Sequence, residues 1–178
     1  MYAEGQLHAR EERGMRILKW LGGLVVLAGV GLAVAYALRS DPIGPIAGRA
    51  LTGETVSERI EDWSFTDDHM LIAVETRPED PHSVTTACFT QKGELYVPAT
   101  NGSSKQWTQH VVSDPRVRLK IGDRIYPARA ERVTDPTRAE EMRAAARAKY
   151  NLPEEAGAEL EDVWLFRIRS TGVDVAAP

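Results

Sequence analysis

One cysteine, Cys88, is all that 178 residues supply. No intramolecular disulfide can form, and neither a four-cysteine zinc site nor a redox pair can be built. A lone thiol leaves the compartment open. Positive charge is also scarce: 22 basic residues stand against 26 acidic ones, a net charge of −4. Nucleic-acid binding needs a concentrated basic face, so this balance argues against such a partner. Gly-x-Ser-x-Gly is absent, and so are the phosphate-loop and dinucleotide fingerprints. Cys88 lies in an apolar run, where thiols are usually inert. The 4 histidines form no i, i+4 pair of the kind a helical metal site uses. His69 beside Asp67 and Asp68, and His82 near Asp80, fall in turn-like sequence, and no metal is expected.

What is present begins with an apolar run. Residues 1–16 are polar and charged, too poor in apolar surface to offset their ordering entropy. Trp20 to Leu38 then carries no charge over nineteen residues. At 1.5 Å rise per residue that length matches the ~30 Å hydrocarbon core of a bilayer. Trp20 and Tyr36 lie near its ends and Lys19 and Arg39 close it, as interfacial anchors would. The run exceeds the about 7–15 residues of a signal-peptide core. A single transmembrane helix is therefore expected over residues 17–39, with the bilayer as its partner. Arg10, Arg13, Arg16 and Lys19 precede it, which places the N-terminus in the cytoplasm and the folded part on the extracytoplasmic side. Residues 40–54, rich in proline and glycine, read as a semi-extended linker.

Residues 55–178 read as one mainly β domain. Met70–Thr76, Val84–Thr90, Leu95–Ala99, Val117–Ile121, Ile125–Val133 and Val163–Arg169 are apolar or alternating runs parted by turn residues. About six short strands favour a barrel over a parallel α/β sheet. Pro98 and Pro127 cannot donate to a ladder, so each should lie at an edge, a strand end or a bulge. Two helices interrupt the strands. Asp135-Pro136 opens one, with Asp135 as its N-cap, and Asn151-Leu152-Pro153 ends it. Its composition predicts a surface helix with a narrow apolar stripe.

The other helix, Lys105 to Ser113, follows a small polar turn, Thr100-Asn101-Gly102-Ser103-Ser104. Ser103 and Gln106 fit a capping box, and Trp107 and Val111 would face the core. A helix N-terminus with Lys105 beside it suits phosphate or carboxylate, although Ser103 and Ser104 could equally be simple caps. His110, three residues past Trp107, could reach a ligand beside the turn or lie at the surface.

The order of Leu95-Tyr96-Val97, Ser103-Ser104-Lys105 and Asp114-Pro115-Arg116-Val117-Arg118-Leu119 resembles the flavin-binding split β-barrels. These are the pyridoxamine 5'-phosphate oxidase-like proteins and the deazaflavin-dependent nitroreductases. The resemblance covers roughly Met70 to Val133 and implies an FMN-binding-like split β-barrel, commonly a homodimer, holding FMN or a deazaflavin. On that resemblance Ser103, Ser104 and Lys105 hold the cofactor phosphate, while Trp107 packs near the cofactor or simply anchors the helix. The function implied is a membrane-anchored, flavin-binding oxidoreductase-like protein. The alternative is a non-catalytic or haem-binding module on the same barrel. The oxidases usually add an Arg or Lys on the preceding strand. Ser83–Thr90 has none, which leaves Arg116, Arg118 or Lys120 as substitutes.

Overall fold

A computed structural model describes residues 19–34, 40–153 and 162–172 of the chain. It divides into two units, residues 1–39 and 40–178. In the first, residues 19–34 form helix α1. Among the described residues no helix is long and apolar enough to cross a membrane. The rest of the expected span, residues 17, 18 and 35–39, lies outside the described residues, as does the polar tail. Along α1 the large apolar side chains are exposed, Trp20 at 81% and Leu27 at 74%.

The second unit is the β domain. Its strands are β1 (Glu54–Thr55), β2 (Leu71–Thr76), β3 (His82–Ala87), β4 (Phe89–Gln91), β5 (Glu94–Thr100), β6 (Arg116–Ile121), β7 (Arg124–Arg132) and β8 (Val163–Ser170). Helix α2 (Gln106–Ser113) sits between β5 and β6, and α3 (Pro136–Tyr150) between β7 and β8. The strands form one sheet in the order β3-β2-β6-β7-β8-β5-β4, with β1 added in parallel to β7. The pairs along that order are antiparallel.

Alternation builds the core. In β6, Val117, Leu119 and Ile121 are buried while Arg116, Arg118 and Lys120 face outward. Phe166 and Ile168 of β8, Val97 of β5 and Trp107 of α2 complete the interior. A smaller cluster, Phe89, Tyr96, Met142 and Leu165, packs between the outer face of the sheet and α3. Met142 is the one residue of α3 that is fully buried, which is the narrow stripe expected. Asp135 caps α3 by accepting from the Arg138 amide at 2.9 Å. The prolines sit where the ladder has gaps. Pro127 falls between the register of β1, which ends at Ile125, and that of β8, which starts at Ala128. Pro98 lies beyond Tyr96, where β4 stops pairing with β5.

Two expectations change. The run Val84–Thr90 is not one strand: it breaks at Cys88, whose amide donates to the Tyr150 hydroxyl at 3.0 Å instead of to a ladder. That hydroxyl in turn lies 2.7 Å from the Met70 and Cys88 carbonyl oxygens, so the end of α3 holds the break in shape. The segment read as a linker is also bound down. Gly48 and Ser83 exchange backbone bonds of 2.8 and 3.1 Å. The Leu51 amide donates to buried Glu75 at 2.6 Å. Lys120 pairs with Asp41 at 2.7 Å. Residues 40–53 are a strap along the sheet.

Where α3 meets β5, the Tyr96 hydroxyl donates to Glu94 at 2.6 Å and Arg138 donates to both, at 2.6 and 2.7 Å. Burial pushes the Glu94 carboxyl up, but Tyr96, Arg138 and Arg167 outweigh it and hold the group below its ordinary 4.5. A depressed carboxyl stabilises the fold above its unfolded pKa, and that contribution disappears as pH falls through the folded value. The melting temperature should therefore drop on acidification below 4.5. Glu94→Gln should melt lower at neutral pH and lose less on acidification. Equal acid sensitivity in the two proteins would show that this network carries none of it.

Candidate functional site

The turn before α2 is fastened to the start of β8. Asn101 takes a left-handed conformation, φ 53°. Gly102 follows against the Trp164 side chain, and its amide donates to the Asp162 carbonyl at 2.9 Å. The Ser103 amide and hydroxyl both donate to one Asp162 carboxylate oxygen, at 2.9 and 2.6 Å. These two bonds hold the Asp162 carboxyl below its usual range. Ser104 donates to the Asn101 carbonyl at 3.0 Å.

The expected capping box does not form. Lys105 is the N-cap of α2 and no side chain caps the first turn. Ser103 is drawn toward Asp162 and lies two residues before the N-cap, too early to serve. Its place is taken by bonds running the other way: the Thr108 hydroxyl proton is shared between the Gly102 and Lys105 carbonyls, and the Gln109 amide donates to the Ser103 carbonyl.

β3 and β5 approach each other without forming a ladder. A side-chain bond from Thr86 to the Pro98 carbonyl, 3.3 Å, spans the gap. This opening holds a cleft of about 500 Å³. Thr85 and Thr86 form one wall, Ala99 and Thr100 another, and Lys105 to Trp107 close one end. Gly44, Pro45 and Ala47 of the strap supply a further wall.

Of the five residues expected at a ligand, Lys105 and Trp107 line this cleft. Trp107 is 95% buried, with its ring 5.4 Å from Phe166, so it anchors α2 first and borders the cleft second. Ser103 and Ser104 hold the turn and are not in the lining. His110 also stands back from the cleft, bonded through Nδ1 to Thr76 at 3.1 Å. Its ring edge meets His82, and it is His82 that lines the cleft. The haem alternative relied on His110 as a contact, and the ring does not face the cleft. The three substitute cations are also engaged elsewhere: Arg116 with Asp114 and Glu79, Arg118 with Glu75, Lys120 with Asp41.

A second cavity of about 570 Å³ lies under α3. Phe89, Met142, Ala146 and Leu165 make it mostly apolar, and Arg132, Arg143 and Arg147 border it. Ala87, Pro98 and Thr100 line both cavities, so the two adjoin. Together they offer a cationic end at Lys105 and an apolar slot beneath α3. Sizes of this order suit a cofactor-sized ligand. No local pattern marks α3 for this role, because its place over β4 and β8 is set by tertiary packing.

No family model matches the sequence, and no curated protein matches it. Solved structures do. A conserved hypothetical protein from Mycobacterium tuberculosis aligns over 60% of this chain and 76% of its own, at 18% identity and a TM-score of 0.51. The fold is a split β-barrel. Other structural neighbours include a putative pyridoxamine 5'-phosphate oxidase from Listeria innocua and an F420-H2 dependent reductase. The first has 14% identity, covers 59% of this chain and 86% of its own, and has a TM-score of 0.47. The second has 17% identity, covers 57% and 95%, and also has a TM-score of 0.47. At 18% identity the likeness to the Mycobacterium tuberculosis protein is one of fold alone.

Proposed function

We propose that this split barrel binds FMN or a deazaflavin and serves as an oxidoreductase-like protein. The observation that carries the reading is the pair of adjoining cavities: a cleft with Lys105 at one end, and an apolar slot under α3. A planar ring suits the slot, and an anionic tail suits the Lys105 end. Among the described residues the Lys105 ammonium has no carboxylate within ion-pairing distance. A bound flavin or deazaflavin would supply the hydride chemistry, and the protein would supply position and electrostatics. Lys105 would pair with phosphate, Trp107 would keep α2 in register, and Ser103 would act through Asp162 by fixing the turn. Phe89, Met142 and Leu165 would exclude water from the ring.

The bilayer is proposed as the partner of the Trp20–Leu38 run, with the N-terminus cytoplasmic and the barrel extracytoplasmic. Support comes from the uncharged length and from the exposed apolar side chains of α1. A homodimer is proposed for the barrel, in keeping with the family resemblance.

The test is a UV–visible spectrum of the purified full chain, before and after incubation with FMN and with a deazaflavin, with mass analysis of anything released. A stoichiometric flavin or deazaflavin is expected. A protein that stays colourless through both incubations would end the reading. Lys105→Ala should weaken FMN binding by roughly tenfold or more, the worth of one charge-assisted hydrogen bond. Ser103→Ala should lower the melting temperature and change affinity less. The reverse ranking would move the phosphate from Lys105 to Ser103.

A further inference from the structure

The cofactor reading leaves the cleft with one cation, Lys105, because β3 from Ser83 to Ala87 has none. We propose that His82 is the second cationic partner of a phosphate held in this cleft, and that His110 positions its ring. The proposal rests on the reading above.

His82 opens β3 and lines the same cleft as Lys105. The residues Val84 to Ala87 of the same strand line the cleft as well. The His82 and His110 rings meet edge to face, 5.3 Å apart with 87° between planes. Thr76 links the two: its hydroxyl donates to the His82 carbonyl at 3.2 Å and so accepts from His110 Nδ1 at 3.1 Å. One hydroxyl proton cannot serve both bonds, so the proton between Thr76 and His110 belongs to His110 Nδ1.

The charged groups facing the pair come from two elements. The β2–β3 turn contributes Arg77 and Asp80, themselves paired at 2.6 Å, and Lys105, the N-cap of α2, lines the same cleft. Burial first, then Arg77, holds His82 below the ordinary 6.5, with Asp80 pulling the other way. The same two causes, and then His82, lower His110. Without an anion the pair is therefore neutral at neutral pH. An anion in the cleft favours the charged imidazole, and by linkage protonation of His82 favours the anion. Retention of phosphate should tighten as pH falls.

The experiment uses the full chain with FMN and riboflavin as probes, comparing wild type with His82→Gln. FMN phosphate itself loses charge near pH 6 in both proteins, so the quantity read is the affinity ratio between them. That ratio should be near one at about pH 8 and roughly tenfold at about pH 5.5, with riboflavin near one at both. In wild type, the titration of the His82 ring followed by NMR should move to higher pH on adding FMN. This second readout stands even if the variant folds poorly. His110→Gln should flatten the pH dependence and leave affinity at about pH 8 unchanged. Bound FMN with a flat ratio and an unmoved His82 titration overturns the His82 assignment and leaves the cofactor reading intact. Failure of both proteins to bind FMN at any pH sinks the two together.

Discussion

Replacing Glu75 with leucine should cost about 3 kcal/mol and free the strap from the barrel. Glu75 is 3% exposed, and its carboxylate accepts from Arg118 at 3.1 and 3.2 Å and from the Leu51 amide at 2.6 Å. Leucine fills the volume but leaves a guanidinium without its partner and a buried amide without an acceptor. Removing one member of a buried pair typically costs about 3–5 kcal/mol. The Arg118 side chain is 34% exposed and can recruit water, which sets the lower end. A melting temperature about 6–12 °C lower follows for a chain of this size. Glu75→Gln keeps an acceptor and should lose less than half as much. Arg118→Leu added to Glu75→Leu should recover part of the loss, because the orphaned charge is gone. Amide exchange at Gly48 and Leu51 should quicken in Glu75→Leu. The strap forms one wall of the cleft, so FMN affinity should fall in the same variant. A melting point within about 1 °C of wild type would mean that the carboxylate does not hold the strap.

How far the sequence carried this structure depends on the range of the contact involved. The position of β6 is readable to within a residue, because Val117-Arg118-Leu119-Lys120-Ile121 alternates as a half-buried strand must. The cap and the end of α3 were readable for a similar reason: Asp135-Pro136 and Asn151 act on their own neighbours. The break at Cys88 was not readable, since its cause is a tyrosine hydroxyl 62 residues away. Proline and glycine suggest a semi-extended linker over residues 40–54, whereas the chain there is bonded to the sheet. Nothing local revealed that Asp41 meets Lys120 or that Leu51 meets Glu75. The site divides in the same manner. Lys105 and Trp107 stood out because a polar turn entering a helix is a local pattern. Ser103 fitted that pattern equally well and was diverted by Asp162, 59 residues on. His82 hid in a turn-rich stretch. Nothing local distinguishes it, since the cleft forms only where β3 approaches β5.

Gly102→Ala should destabilise the barrel by about 2–3 kcal/mol, although this glycine's backbone is ordinary. Its φ is not among the positive values, so strain plays no part and space decides. A Cβ there would lie 2.3 Å from Trp164 Cγ and 2.5 Å from its Cβ. The second contact involves the root of the side chain, which cannot swing aside. The indole is also covered by the Arg132 guanidinium, 3.5 Å from the ring centroid. The turn must therefore lift from β8, at the expense of the Gly102 and Ser103 bonds to Asp162. Lys105 sits directly after that turn, so FMN affinity should fall by about tenfold or more even though no ligand contact was altered. Trp164→Ala alone should cost about 3 kcal/mol through lost packing. In the double variant the clash has no partner, and the two losses should fall short of their sum by at least about 1 kcal/mol. Four melting curves complete that cycle. Additive losses would mean that the indole is not what the methyl group meets, and that the turn tolerates alanine for some other reason.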